Sequence, residues 1–249
     1  MCHGFGGTKE ENPPGMARLL AGAGYRVLTF DYRGFGGSEG FRARIVPEEQ
    51  IEDAATALEY FAARPDVDGG RVAFYGSSLG GGMVAGALLK SAGARAAVLV
   101  VPVVTGSRRI VRPPMPALGA LLARAREALV RKAASGEVEI VDRGEILRDP
   151  VTAARYQGKS YPIVLESLVH LASGLTPIDW APFIKQPVLV IAVAGDAMIP
   201  LDLLNEFHDA LAGPRALHVF PGGHHYSVYE ELLEDTFRLA QGWLERHCG

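Results

Sequence analysis

The sequence predicts an α/β fold, a mostly parallel central sheet with helices on both faces, and three observations carry it. Short β-rich apolar runs alternate with amphipathic helical stretches along the chain. Turn-forming Gly clusters follow the runs, where loops at the ends of parallel strands lie. At 249 residues with 48% hydrophobic residues, the chain is long enough for one sizeable core.

Taken in order, Asn12-Pro13-Pro14 with Met16, Leu19 and Leu20 reads as a helix start with an apolar face, ended by Gly22 to Gly24. Tyr25 to Phe30 follows as a strand, and Pro47-Glu48-Glu49 opens a helix carrying Ile51, Ala55, Leu58 and Phe61. Arg71 to Tyr75 is the next strand and leads through a tight turn into a Gly- and Ala-rich helix. Ala96 to Val101, Lys185 to Ala194 and Ala216 to Phe220 are further strands, and Glu230 to His247 is a closing helix. Residues from about 103 to 183 break the rhythm. They hold a helical run from Ala117 to Ala134 and then mixed segments, and the sequence predicts a lid inserted within a single domain spanning 1–249.

Composition excludes several classes. A net charge of −3, without blocks of like charge, does not suit nucleic acid. Cys2 and Cys248 are the only cysteines and lack metal-ligand spacing, so neither a disulfide framework nor a metal site is expected. With no membrane-length apolar run and no export signal, a cytoplasmic setting is the expectation. Arg108, Arg109 and Arg112 open the lid and read either as a solvated face or as contacts for an anionic substrate.

The chemistry centres on Gly76-Ser77-Ser78-Leu79-Gly80, a G-x-S-x-G pattern between a strand and a helix. A sharp turn there brings two backbones close, so side chains at the flanking positions would clash. It leaves Ser78 exposed, with the Leu79 amide at a helix N-terminus, where developing negative charge is stabilised. A serine hydroxyl needs a base, and the base needs an oriented acid. Asp196 ends the strand Leu189 to Val193 and is the expected acid; Asp202 lies a turn into the next helix. Pro221 to Tyr226 follows the next strand, and on residue pattern either His224 or His225 could be the base. The order Ser, Asp, His is the one α/β-hydrolases use. Phe5, in a His-Gly loop, is the expected second oxyanion donor beside Leu79, with His3 bracing that loop. The Gly-rich loop Asp31 to Ser38 does not complete a G-x-G-x-x-G fingerprint and reads as tight turns near a site, not a nucleotide cradle.

Together these residues resemble the α/β-hydrolase superfamily, in its serine-hydrolase branch of esterases, dienelactone-hydrolase-like and serine aminopeptidase-like proteins. His3-Gly4-Phe5-Gly6-Gly7 is similar to the oxyanion loop, and Asp31 to Ser38 to the loop after the fourth strand. Gly195-Asp196 with Ile199-Pro200 is similar to the acid loop. His225-Tyr226-Ser227-Val228-Tyr229 resembles the family's ending, which favours His225 over His224. The resemblance implies acyl-enzyme cleavage of a carboxylic ester of a small-molecule acyl substrate, with no cofactor. Its rivals are a peptidase or amidase, an acyltransferase, and a non-catalytic fragment. The resemblance also implies strands before the His-Gly loop, so the natural chain is expected to begin upstream of Met1. Leu118, Leu121, Leu122, Ile163, Leu165, Leu168 and Leu171 of the lid suggest an apolar substrate part or packing within the lid.

Overall fold

The computed structural model describes residues 1–11, 14–107, 116–147, 150–156 and 159–249. Its main sheet has four parallel strands, β1 (Ala73–Ser77), β2 (Ala96–Val100), β5 (Val188–Val193) and β6 (Arg215–Phe220), adjacent in that order. The register sets Ala73 beside Ala96, Val98 beside Leu189 and Val190 beside Leu217. β2 and β5 are buried along their whole length, which explains why they read as unbroken apolar runs.

Alternate side chains of these strands feed two cores on opposite faces. Val98, Val100, Leu189 and Ile191 pack with Met16 and Leu20 of α1 (Pro14–Gly22) and Trp243 and Leu244 of α10 (Leu233–Cys248). Ala97, Leu99, Val190 and Ala192 face the other side. There they meet α2 (Pro47–Ala62), α3 (Leu79–Lys90) and α9 (Leu201–Ala210). Residues 80–88 of α3 are buried on every side. A helix so enclosed has no polar face, which fits its Gly- and Ala-rich composition.

The expected strand Tyr25–Phe30 is a correction: this segment forms no ladder. What lies between it and β1 is Met1-Cys2. Cys2 makes a single parallel bridge to Gly76, and the terminal ammonium of Met1 donates to the Leu28 carbonyl at 2.8 Å. Two residues pair too little backbone to turn an extended segment into a strand.

Residues between β2 and β5 form an insert over one end of the sheet. Its described elements are α4 (Pro116–Ser135), β3 (Ile140–Asp142), α5 (Arg143–Ile146), α6 (Pro150–Arg155), β4 (Pro162–Val164), α7 (Ser167–Gly174) and α8 (Pro177–Trp180). β3 and β4 pair antiparallel, a two-stranded unit that the sequence pattern did not reveal. Arg108, Arg109 and Arg112 fall outside the described residues. Among those described, no helix is long and apolar enough to cross a membrane.

Candidate active site

Ser78 occupies the turn between β1 and α3 at φ 52°, ψ −121°. A non-glycine residue at positive φ costs about 1–3 kcal/mol, so its surroundings must over-determine it. They do: the Ser78 amide donates to the Val100 carbonyl at 2.9 Å, and the Ser78 carbonyl accepts from Val103 at 2.9 Å and Gly81 at 3.0 Å. The flanking glycines are required by close approach. A Cβ at Gly76 would lie 2.7 Å from the Gly80 carbonyl oxygen, and one at Gly80 would run into the carbonyl oxygens of Cys2 and His3.

The ring of His225 joins Ser78 to Asp196. Its Nε2 is 3.1 Å from Ser78 Oγ and its Nδ1 is 2.7 Å from Asp196 Oδ2. With Nδ1–H donating to the carboxylate, Nε2 is left to accept the serine proton. Both partners are buried, His225 at 5% exposure and Asp196 at 8%. The other carboxylate oxygen of Asp196 accepts the amides of Met198 at 2.7 Å and Ile199 at 3.0 Å. Burial pushes the Asp196 carboxyl up, but the adjacent His225 and these hydrogen bonds outweigh it and hold it below the ordinary carboxylate value.

Between the adjacent histidines, geometry separates the roles. His224 turns away: its Nδ1 accepts the Tyr226 amide at 3.2 Å, and its own amide donates to Ser227 Oγ at 2.9 Å. Asp202 sits in the first turn of α9, and the carboxylate hydrogen-bonded to His225 is that of Asp196.

The His-Gly loop folds over Ser78, so closely that a Cβ at Gly4 would stand 3.8 Å from Ser78 Oγ. Buried His3 fixes the loop, its Nδ1 donating to the Gly4 carbonyl at 3.0 Å while Nε2 accepts the Tyr32 amide at 3.3 Å. Burial lowers its pKa, which suits a neutral brace. The Asp31 loop serves the same end. Its carboxylate accepts the Lys9 amide at 2.7 Å and the Gly37 amide at 3.0 Å, tying the His-Gly segment to the body. Phe5 and Leu79 both line the cavity onto which Ser78 and His225 open, and Leu79, as the first residue of α3, has an amide with no partner inside the helix.

That cavity, of about 110 Å³, is walled on one side by the insert. Leu122, Leu168 and Leu171 line it, whereas Ile163 and Leu165 are fully buried in the core and Leu121 is nearly so. The insert is tied directly to the histidine and acid loops: Thr152 Oγ1 is 2.9 Å from the Tyr226 hydroxyl and 3.7 Å from Met198 Sδ. Arg143 and Glu11 bring charge to an otherwise largely apolar wall. Sequence reasoning missed Arg143, Glu11 and Thr152, which no local motif marks. Among the described residues, His224, Glu230 and Glu231 bring ligand atoms within 4.8 Å of one another. Glu230 is ion-paired to Arg155, and both glutamates are exposed. Both cysteines are buried and unpaired.

A parallel sheet whose strand-to-helix turn carries a serine, followed by acid and histidine loops at the same sheet end, defines an α/β-hydrolase architecture. The chain belongs to the alpha/beta hydrolase family, which it matches over residues 1–239. An uncharacterized 31.7 kDa protein in the traX-finO intergenic region of Escherichia coli is 27% identical over 262 residues, covering 99% of this chain and 90% of its own. Thiohydrolase aneE of Aspergillus aculeatus is 25% identical over 270 residues, covering 97% of this chain and 84% of its own. The crystal structure of the alpha/beta hydrolase GrgF from Penicillium sp. sh18 superposes with a TM-score of 0.84 at 18% identity. That match covers 100% of this chain and 89% of GrgF.

Proposed function

We propose that this protein is a serine hydrolase that cleaves a carboxylic ester through an acyl-enzyme. The observation that carries the reading is the hydrogen-bonded series Ser78 Oγ, His225, Asp196 at 3.1 and 2.7 Å, opening onto a largely apolar cavity. His225 Nε2 takes the proton of Ser78 as Oγ attacks the carbonyl carbon, and Asp196 stabilises the imidazolium. The amides of Phe5 and Leu79 receive the oxyanion, a service worth about 2.7–4 kcal/mol per donor in such sites. The imidazolium then protonates the leaving alcohol. Water, deprotonated by the same His225, releases the acid and restores Ser78.

Thioesters are a second reading, favoured by the likeness to a thiohydrolase. The same residues would act, and the leaving group would be a thiolate. A fluorophosphonate probe read by intact mass tests the common step: one adduct on the wild type and none on Ser78→Ala. Matched oxoesters and thioesters of one acyl chain then separate the two readings by kcat/KM. An unlabelled wild-type protein that turns over neither would overturn both.

A further inference from the structure

Arg143 begins α5 in the insert, lines the cavity shared by Ser78 and His225, and is only 3% exposed. Its guanidinium lies against Tyr156 and Tyr161, with ring centroids 4.0 and 3.7 Å from the central carbon. Nη1 donates to the Phe5 carbonyl at 3.1 Å. Among the described residues, Nε and Nη2 meet no acceptor. A buried polar nitrogen without a partner is uncommon and costly, and here two belong to one cation. They are the two nitrogens on the side edge of the guanidinium, whose N–H bonds run parallel and match the two oxygens of a carboxylate.

The near counter-charge does not fill that edge. Glu11 Oε2 is 3.7 Å from Nη1, beyond hydrogen-bond distance, and has no hydrogen-bond partner among the described residues. Tyr161 hydrogen-bonds the Glu11 carboxylate, and burial with this bond raises the tyrosine to about 12. Glu11 lines the same cavity with its side chain 29% exposed, so it has solvent to swing into.

From this geometry we infer that Arg143 is a specificity residue whose Nε and Nη2 edge receives a carboxylate carried by the acyl chain, distal to the bond cleaved. The inference rests on the serine-hydrolase reading for its place in turnover, not for its binding step. Glu11 balances the guanidinium in the empty site and moves aside as the substrate carboxylate enters. Apolar neighbours such as Leu122 and Leu171 then hold the methylenes between the two ends.

The p-nitrophenyl monoesters of succinic, glutaric and adipic acids are compared with p-nitrophenyl alkanoates of equal acyl length. Wild-type protein is expected to favour one dicarboxylic monoester by about tenfold or more in kcat/KM, the scale of one charge-assisted bidentate contact. Arg143→Met loses the preference, whatever its effect on the alkanoate through Phe5. Arg143→Lys keeps a charge without the parallel edge and recovers only part of it. Glu11→Gln raises it, because a like charge is removed. Equal ratios in wild type and Arg143→Met would overturn the assignment and leave Arg143 as a brace for the Phe5 carbonyl. Free glutarate is measured by thermal shift against pentanoate. Protection of wild type but not of Arg143→Met supports the subsite even if neither ester is turned over, and equal protection overturns it.

Discussion

The floor of the site and its roof are held together differently. Ser78, Asp196 and His225 stand at the ends of β1, β5 and β6, where backbone ladders position the turns and amides satisfy the acid. Among the described residues, the insert has only the short β3–β4 ladder and single backbone bonds such as the Val164 amide to the Ala43 carbonyl, and adds side-chain contacts: Lys132 pairs with the buried Glu166, Arg131 and Arg124 with Glu139, and Thr152 with Tyr226. A ladder depends little on which side chain stands at each position, whereas an ion pair fails with a single change. On the function proposed above, the reacting atoms sit at the ends of ladders, and the cavity walls lean more on side-chain contacts.

Breaking the floor gives the largest effect. Asp196→Asn preserves shape but removes the charge that holds the His225 tautomer, and kcat should fall about 10⁴-fold in an ester assay. Because the Asp196 carboxyl is held below its ordinary value, it adds stability above about pH 4 that is lost as pH falls through its folded pKa. Acid titration of Tm should therefore be shallower in Asp196→Asn than in wild type.

Next in size is the elbow itself. Gly80→Ala drives a methyl into the carbonyl oxygens of Cys2 and His3, at an expected cost of about 3 kcal/mol or more in urea unfolding. A variant as stable as wild type would show that the His-Gly loop moves freely over α3.

Striking the roof should separate the two regions. Lys132→Met leaves Glu166, only 2% exposed, without its cation, which should cost about 3 kcal/mol. Fluorophosphonate labelling of Ser78 at temperatures below unfolding should remain. The smallest change, Thr152→Val, removes one buried hydrogen bond to Tyr226 at about 1 kcal/mol. It should raise KM more than it lowers kcat, because it loosens the wall while leaving His225 in place. An equal loss in kcat would mean that the insert positions the histidine loop as well.

The sequence by itself determined what is local. Strand, tight turn and helix around Ser78 were legible because the glycines crowd their immediate neighbours, and β2 and β5 because double burial leaves uninterrupted apolar runs. The ordering of Ser78, Asp196 and His225 followed from strand alternation. Only the tertiary structure decided what depends on distant partners. The residue pattern left His224 and His225 open and the family resemblance favoured His225; the structure supplies the reason, a turn closed by Ser227 that aims one ring at Asp196 and the other away. Tyr25–Phe30 is apolar enough for a strand, yet strand identity lies in pairing, and Met1-Cys2 offers one bridge. Arg143 reaches Phe5 across 138 residues of chain, a contact that no periodicity encodes because packing, not spacing, brings the two together.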